Sequence, residues 1–205
     1  FSEIPFGLTN EPFAPASTRS ISCQLYGITN YGDFFTSRQP LAIGAFISAI
    51  NDARKKLSTG IYPVDFQNAI TSYLCLSLGR IVDYSNSMCS WHIGREIIRN
   101  LFGRFSISLI WDFCELPVTN SSTGGYIGAV KWIALAIEHL LEAVKTAPSC
   151  KVIHDSSTSL KESHNVGYDL IITDPPYYEA ISYADLSELF YVVLRRVVQY
   201  TPFAT

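Results

Sequence analysis

Four consecutive residues, Asp174-Pro175-Pro176-Tyr177, combine groups suited to one chemical task. An exocyclic amine on a nucleobase is a poor nucleophile, because its lone pair is delocalised into the ring. A carboxylate at Asp174 and the carbonyl of Pro175 can both accept hydrogen bonds from such an amine. Held in that way, the nitrogen can move toward tetrahedral geometry and attack an electrophilic methyl in line. Two successive prolines fix φ at about −65° and remove two N–H groups, so the carbonyl is aimed without competing local donors. Tyr177 offers a flat face to a base flipped out of its stack, a contact worth about 1–3 kcal/mol. The same four residues also suit a rigid turn at the end of a strand, with Asp174 capping a local N–H.

Position in the chain favours the chemical reading. Leu170, Ile171 and Ile172 are consecutive and make 168–173 a buried strand, and 151–154 reads as a shorter one. Ligands of open α/β sheets bind beyond the carboxyl ends of strands, which is where Asp174 falls. Helical spacing surrounds these strands. A first helix begins at a Thr36 or Ser37 cap, carries Pro40 in its first turn, runs through Leu41, Ala45, Phe46 and Ile50, and ends near Lys55 and Lys56. A second spans 63–84 with a stripe of Ile70, Leu74, Leu78 and Ile81. A third spans 126–145, with Val130, Ile133, Ile137, Leu140, Leu141 and Val144 on one face, and a last spans 183–198 through Leu186, Leu189, Phe190, Val193, Leu194 and Val197. Residues 1–36 are irregular, broken by Pro5, Pro12 and Pro15, and 106–111 reads either as a strand or as a buried helix. The closing order of helix, strand, loop, strand, loop and helix predicts an α/β fold with a parallel sheet.

Composition narrows the function classes. The chain has 205 residues, 48% hydrophobic and 16% charged, enough apolar material for one ordinary domain or for one domain with a helical appendage. Its net charge is −3, so no basic stripe advertises nucleic acid, and only a local site argues for such a partner. No apolar run approaches the ~20 residues of a membrane span, which predicts no membrane partner. The cysteines, Cys23, Cys75, Cys89, Cys114 and Cys150, contain no Cys-x-x-Cys pair, so they predict reduced, mostly buried thiols in a cytoplasmic protein and no metal site. The first residue is Phe1 and Met88 is the only methionine, so the sequence reads as a section of a longer polypeptide.

The tetrapeptide resembles motif IV of the amino-methyltransferases that use S-adenosylmethionine (SAM). The resemblance extends through Tyr178, then Tyr183-Ala184-Asp185-Leu186-Ser187 and Phe190-Tyr191. It also takes in Tyr26-Gly27, Gly32-Asp33-Phe34-Phe35-Thr36, Arg38-Gln39, Arg99-Asn100, Phe102-Gly103-Arg104 and Trp111-Asp112-Phe113. On these strings, covering most of 24–196, the chain resembles the large adenine-specific DNA methylases. The resemblance implies a partial Rossmann-like, class I SAM-dependent methyltransferase fold. Residues 1–146 would form a helix-rich N-terminal insertion, and 147–205 the half of the core that carries the catalytic turn. It implies methyl transfer to the N6 amine of a flipped adenine in DNA, with Asp174, Pro175, Pro176 and Tyr177 catalytic. It also implies SAM as cofactor and DNA as partner, with further subunits of a restriction-modification or phage-defence system. RNA-guanine or protein-glutamine methylation, and a non-catalytic methylase-like module of a defence assembly, are the alternative readings.

Further assignments follow from the resemblance. Asp155 lies 19 positions before Asp174, where such enzymes hold the SAM adenine amine; an Asp capping the loop of Ser156, Ser157 and Thr158 explains it equally. The glycine-rich SAM loop is expected N-terminal to this sequence, together with the ribose acid, and the isolated chain is expected to be inactive. Gly124-Gly125-Tyr126-Ile127-Gly128 reads instead as a flexible helix start. Thr36, which in some adenine methylases precedes a proline near the methionine end of SAM, is followed here by Ser37 and reads as a helix cap. Two further expectations concern packing. Strands 151–154 and 168–173 should not pair with each other, and helices 126–145 and 183–198 should lack apolar surface to pack on.

Overall fold

Helical periodicity is realised at four places. The computed structural model of the chain describes residues 10–13, 20–102, 106–153, 155, 156, 158, 169–175, 177 and 181–198. Helix α1, Arg38–Ser58, turns Ile43, Ile47 and Ile50 inward at three- and four-residue spacing. No side chain caps its start; the Gln39 N–H donates to the Thr36 carbonyl while the Gln39 carboxamide oxygen accepts from the Thr36 N–H at 2.8 Å. Lys55 and Lys56 occupy its last turn, where cations suit the exposed carbonyls.

Helix α2, Val64–Tyr84, lies at the centre and touches the other three helices. It buries Thr71, Cys75, Ser77, Leu78, Ile81 and Val82. Its hydroxyls enter the interior because each donates to a carbonyl one turn back, Thr71 to Gln67 and Ser77 to Tyr73. The helix ends where the Asn86 side chain donates to the Val82 carbonyl at 2.8 Å. Helix α3, Tyr126–Ala143, begins at Gly125 and packs on α2, with Tyr126 stacked on Phe46 at 4.3 Å. Helix α4, Tyr183–Val198, sits on α2 and α1 and buries Leu186, Leu189, Val192, Val193 and Val197. Burial of each such side chain is worth about 1.5–3 kcal/mol.

The N-terminal segments clip onto this helical core. Ile21 and Ile107 are both fully buried and form an isolated parallel bridge. Phe13 packs edge-on against Tyr31 at 4.7 Å, and the Tyr31 N–H donates to the Glu11 carbonyl. Arg195 and Arg196 of α4 reach the Glu11 carboxylate, so the two ends of the described chain meet.

Among the described residues the sheet is a single antiparallel hairpin, β1 Ser90–His92 and β2 Ile97–Arg99, in the register Ser90 to Arg99. Among the described residues the architecture is therefore mixed, four helices with a small antiparallel sheet, which is compatible with an α/β class. The described parts of 151–154 and 168–173 are not strands and do not pair with each other. Leu170, Ile171 and Ile172 are 74%, 75% and 85% exposed, not buried. The reason is physical: an apolar run becomes a strand only where a neighbour completes its hydrogen-bond ladder, and among the described residues none does so. Likewise 106–111 is neither strand nor helix beyond the Ile107 bridge.

The two packing expectations divide. Helix α4 does not lack surface, because α1 and α2 supply it. Helix α3 packs on α2 but leaves most of its apolar face uncovered: Ala129 is its one buried residue, and Leu135, Leu140 and Leu141 are exposed.

Candidate functional site

Asp174, Pro175 and Tyr177 lie on the segment that leads into α4. Asp174 and Pro175 are exposed, and Tyr177 is 60% exposed. Pro176 lies outside the described residues, so the Pro-Pro geometry is not described. The helix that follows is anchored: the Tyr183 N–H donates to the Ile181 carbonyl at 3.0 Å, and Leu186 and Leu189 are buried in the core. The sequence thus places an acid, a proline carbonyl and an aromatic ring on the outside of the molecule, a few residues from a rigid element.

Asp155 is also exposed, and its Oδ1 accepts from the Ser156 N–H at 2.7 Å. The Ser156 and Thr158 hydroxyls lie 2.9 Å apart. This is the local-loop arrangement.

The glycines before α3 do start a helix, and other parts of the chain pack closely against them. Gly124 has φ +84°, and a Cβ there would come within 2.8 Å of Leu116 and 2.9 Å of Tyr84. A Cβ on Gly125 would lie 2.1 Å from the Asn120 side-chain oxygen. The glycines serve close approach of the chain to itself. Beside them is a cavity of about 270 Å³ lined by Arg80, Ser122, Thr123, Gly128 and Trp132. The Arg80 guanidinium stacks over Trp132 at 4.5 Å and over Tyr84 at 5.3 Å.

A polar cluster escaped the sequence reading. Glu115 accepts from the Thr36 hydroxyl through one oxygen and from Arg38 through the other, at 2.7 Å. The Thr36 hydroxyl is therefore not a helix cap. The Thr36 hydrogen bond, helped by Arg38 and opposed by burial, holds the Glu115 carboxyl below its ordinary value. Glu115 borders a cleft of about 280 Å³ together with Trp91, Cys114, Asn120 and Thr123. Only its place just after Trp111-Asp112-Phe113 could have drawn attention to it, since its partners lie 79 and 77 positions earlier.

A half-buried acid ties the end of α2 to the residue after β2. Asp83 accepts twice from the Asn100 side chain, at 3.0 and 3.2 Å, and burial raises its carboxyl above the ordinary value. Gln39 is buried with its Nε2 lacking a hydrogen-bond partner. Comparison with protein-family models, curated proteins and solved structures returned no significant match. Among the described residues, no group of three or more His, Cys, Asp or Glu is placed to hold a metal ion. His92 has a buried Nδ1 without a partner, and His139 is exposed on α3. No described helix is long and apolar enough to cross a membrane.

Proposed function

We propose that the chain carries the target-base half of a SAM-dependent DNA methyltransferase acting on the N6 amine of adenine. The observation that carries the reading is the exposed Asp174-Pro175 pair with Tyr177 beside it, leading into an anchored helix. Asp174 accepts one amine hydrogen and the Pro175 carbonyl the other, drawing the nitrogen lone pair out of conjugation. Tyr177 stacks on the flipped base and excludes water from one face. The carboxylate takes up positive charge that develops on nitrogen and receives the departing proton.

The residues present fit one end of SAM. Asp155 is an exposed carboxylate of the type that accepts from an adenine amine, whereas Gly124, Gly125 and Gly128 are already packed against Leu116, Tyr84, Asn120 and Ser121 and form no cradle for the methionine end. When bound, SAM supplies the electrophilic methyl.

The test is transfer of radiolabelled methyl to DNA by the protein that contains this chain. Asp174→Ala is expected to abolish incorporation while SAM binding is retained, because the carboxylate acts on the target amine. Incorporation near the parental rate overturns the assignment, and label appearing in RNA or protein instead transfers the chemistry to another amine or amide.

A further inference from the structure

Cys89 and Cys114 are 25 positions apart and in contact. Cys89 follows the end of α2 and precedes the hairpin; Cys114 lies in the loop that carries Glu115. The Cys114 N–H donates to the Cys89 carbonyl at 3.0 Å, and the Cys114 thiol approaches the same oxygen at 3.7 Å. Bond lengths then bound the backbone separation. A Cα lies about 2.4 Å from its own carbonyl oxygen and about 1.5 Å from its own nitrogen, so the two Cα atoms are within about 7 Å. Disulfides span Cα separations of about 4.4–6.8 Å. The Cys89 thiol is fully buried and directed at the Asp83 carbonyl, 3.4 Å away, and the Asn86 Oδ1, 3.5 Å away. Cys114 is partly exposed and borders the cleft beside Trp91. One thiol is thus reachable from solvent, and the other waits behind it.

We propose that Cys89 and Cys114 form an oxidisable dithiol, closed by a small-molecule disulfide that enters along the cleft beside Trp91. The Cys114 thiolate attacks one sulfur of the oxidant R–S–S–R, breaking its S–S bond and releasing one thiol that takes up a proton. The Cys89 thiolate then attacks the Cys114 sulfur of the mixed disulfide, releasing the second R–SH. Two protein thiols become one disulfide, and one oxidant disulfide becomes two thiols. Closure swings the Cys89 sulfur away from Asp83 and Asn86 and ties the base of the hairpin to the loop of Glu115. Burial raises both thiols, Cys89 up to about 12, which makes the exchange slow at neutral pH, and the exposure of Cys114 reserves the first attack for it.

The test uses the protein containing this chain as the Cys150→Ser variant, which removes the exposed thiol while leaving the pair untouched. The reduced, folded protein is incubated with oxidised glutathione, alkylated and mapped by mass spectrometry without reduction. The expected result is loss of two free thiols per chain and one intrachain crosslink between the Cys89 and Cys114 peptides. A further Cys89→Ser change is expected to trap Cys114 as its glutathione adduct, since the resolving thiol is gone. A stable adduct on Cys114 with Cys89 still alkylated, a crosslink between chains, or no loss of either thiol overturns the proposal.

Discussion

Arg38 and Glu115, 77 positions apart, meet at 2.7 Å, and the Thr36 hydroxyl holds the other carboxylate oxygen. Their contact ties the start of α1 to the loop before α3. The carboxyl is held below its ordinary value, so its contribution is present above the unfolded-state pKa and is lost as pH falls through the folded one. The Arg38 side chain is 82% exposed, which limits the pair to about 1 kcal/mol or less. Glu115→Gln should therefore lower stability slightly at about pH 7, and urea titration at about pH 3 should show the deficit gone.

Asp83 should slope the other way. Burial raises its folded pKa, so stability linked to the protonated form is full below the unfolded pKa and declines as pH rises through the folded value. The stability of Asp83→Asn relative to the parent should improve between about pH 4 and pH 7. Asp83→Ala, which strands the Asn100 amide, should cost about 1–3 kcal/mol. Parallel denaturant titrations across that range decide both.

Glycines of α2 and of the α3 start should respond with opposite signs. Gly79 lies inside α2 with nothing within 4 Å of a built Cβ, so Gly79→Ala should stabilise by about 0.5–1 kcal/mol. Gly125→Ala would put a methyl 2.2 Å from the Asn120 carbonyl oxygen and should destabilise by about 1–3 kcal/mol. Thermal melts of the two variants provide the comparison.

Leu189 of α4 is fully buried, and Leu189→Ala should cost about 2–5 kcal/mol. Leu141 of α3 is exposed, and Leu141→Ala should change stability by no more than about 0.5 kcal/mol. Equal effects at both positions, measured by chemical denaturation, would contradict the packing described for α4 and α3.

Tyr177 should act through its ring. In the protein that contains this chain, Tyr177→Phe should retain most binding to DNA with an unpaired target adenine. Tyr177→Ala should lose about 1–3 kcal/mol, the worth of one stacked base. Fluorescence titration separates the outcomes, and equal losses would assign the role to the hydroxyl instead.

The helices were legible because helix hydrogen bonds are local. Pro63 before α2, Gly125 before α3 and the Leu186-Leu189-Val193-Val197 spacing of α4 each act within a few residues of themselves. The Asp174-Pro175-Pro176-Tyr177 motif is local in the same way, since four adjacent residues hold all of the groups proposed to act. Tertiary structure alone decided the rest. Leu170-Ile171-Ile172 reads as a buried strand, but a strand depends on a ladder partner elsewhere in the chain, and no hydrophobic pattern supplies one. The surface that receives α4, the contact between Cys89 and Cys114, and the meeting of Thr36 and Arg38 with Glu115 all join distant positions. Sequence spacing bounds how near such residues can come; only the packing of α1, α2 and the hairpin determines which of them meet.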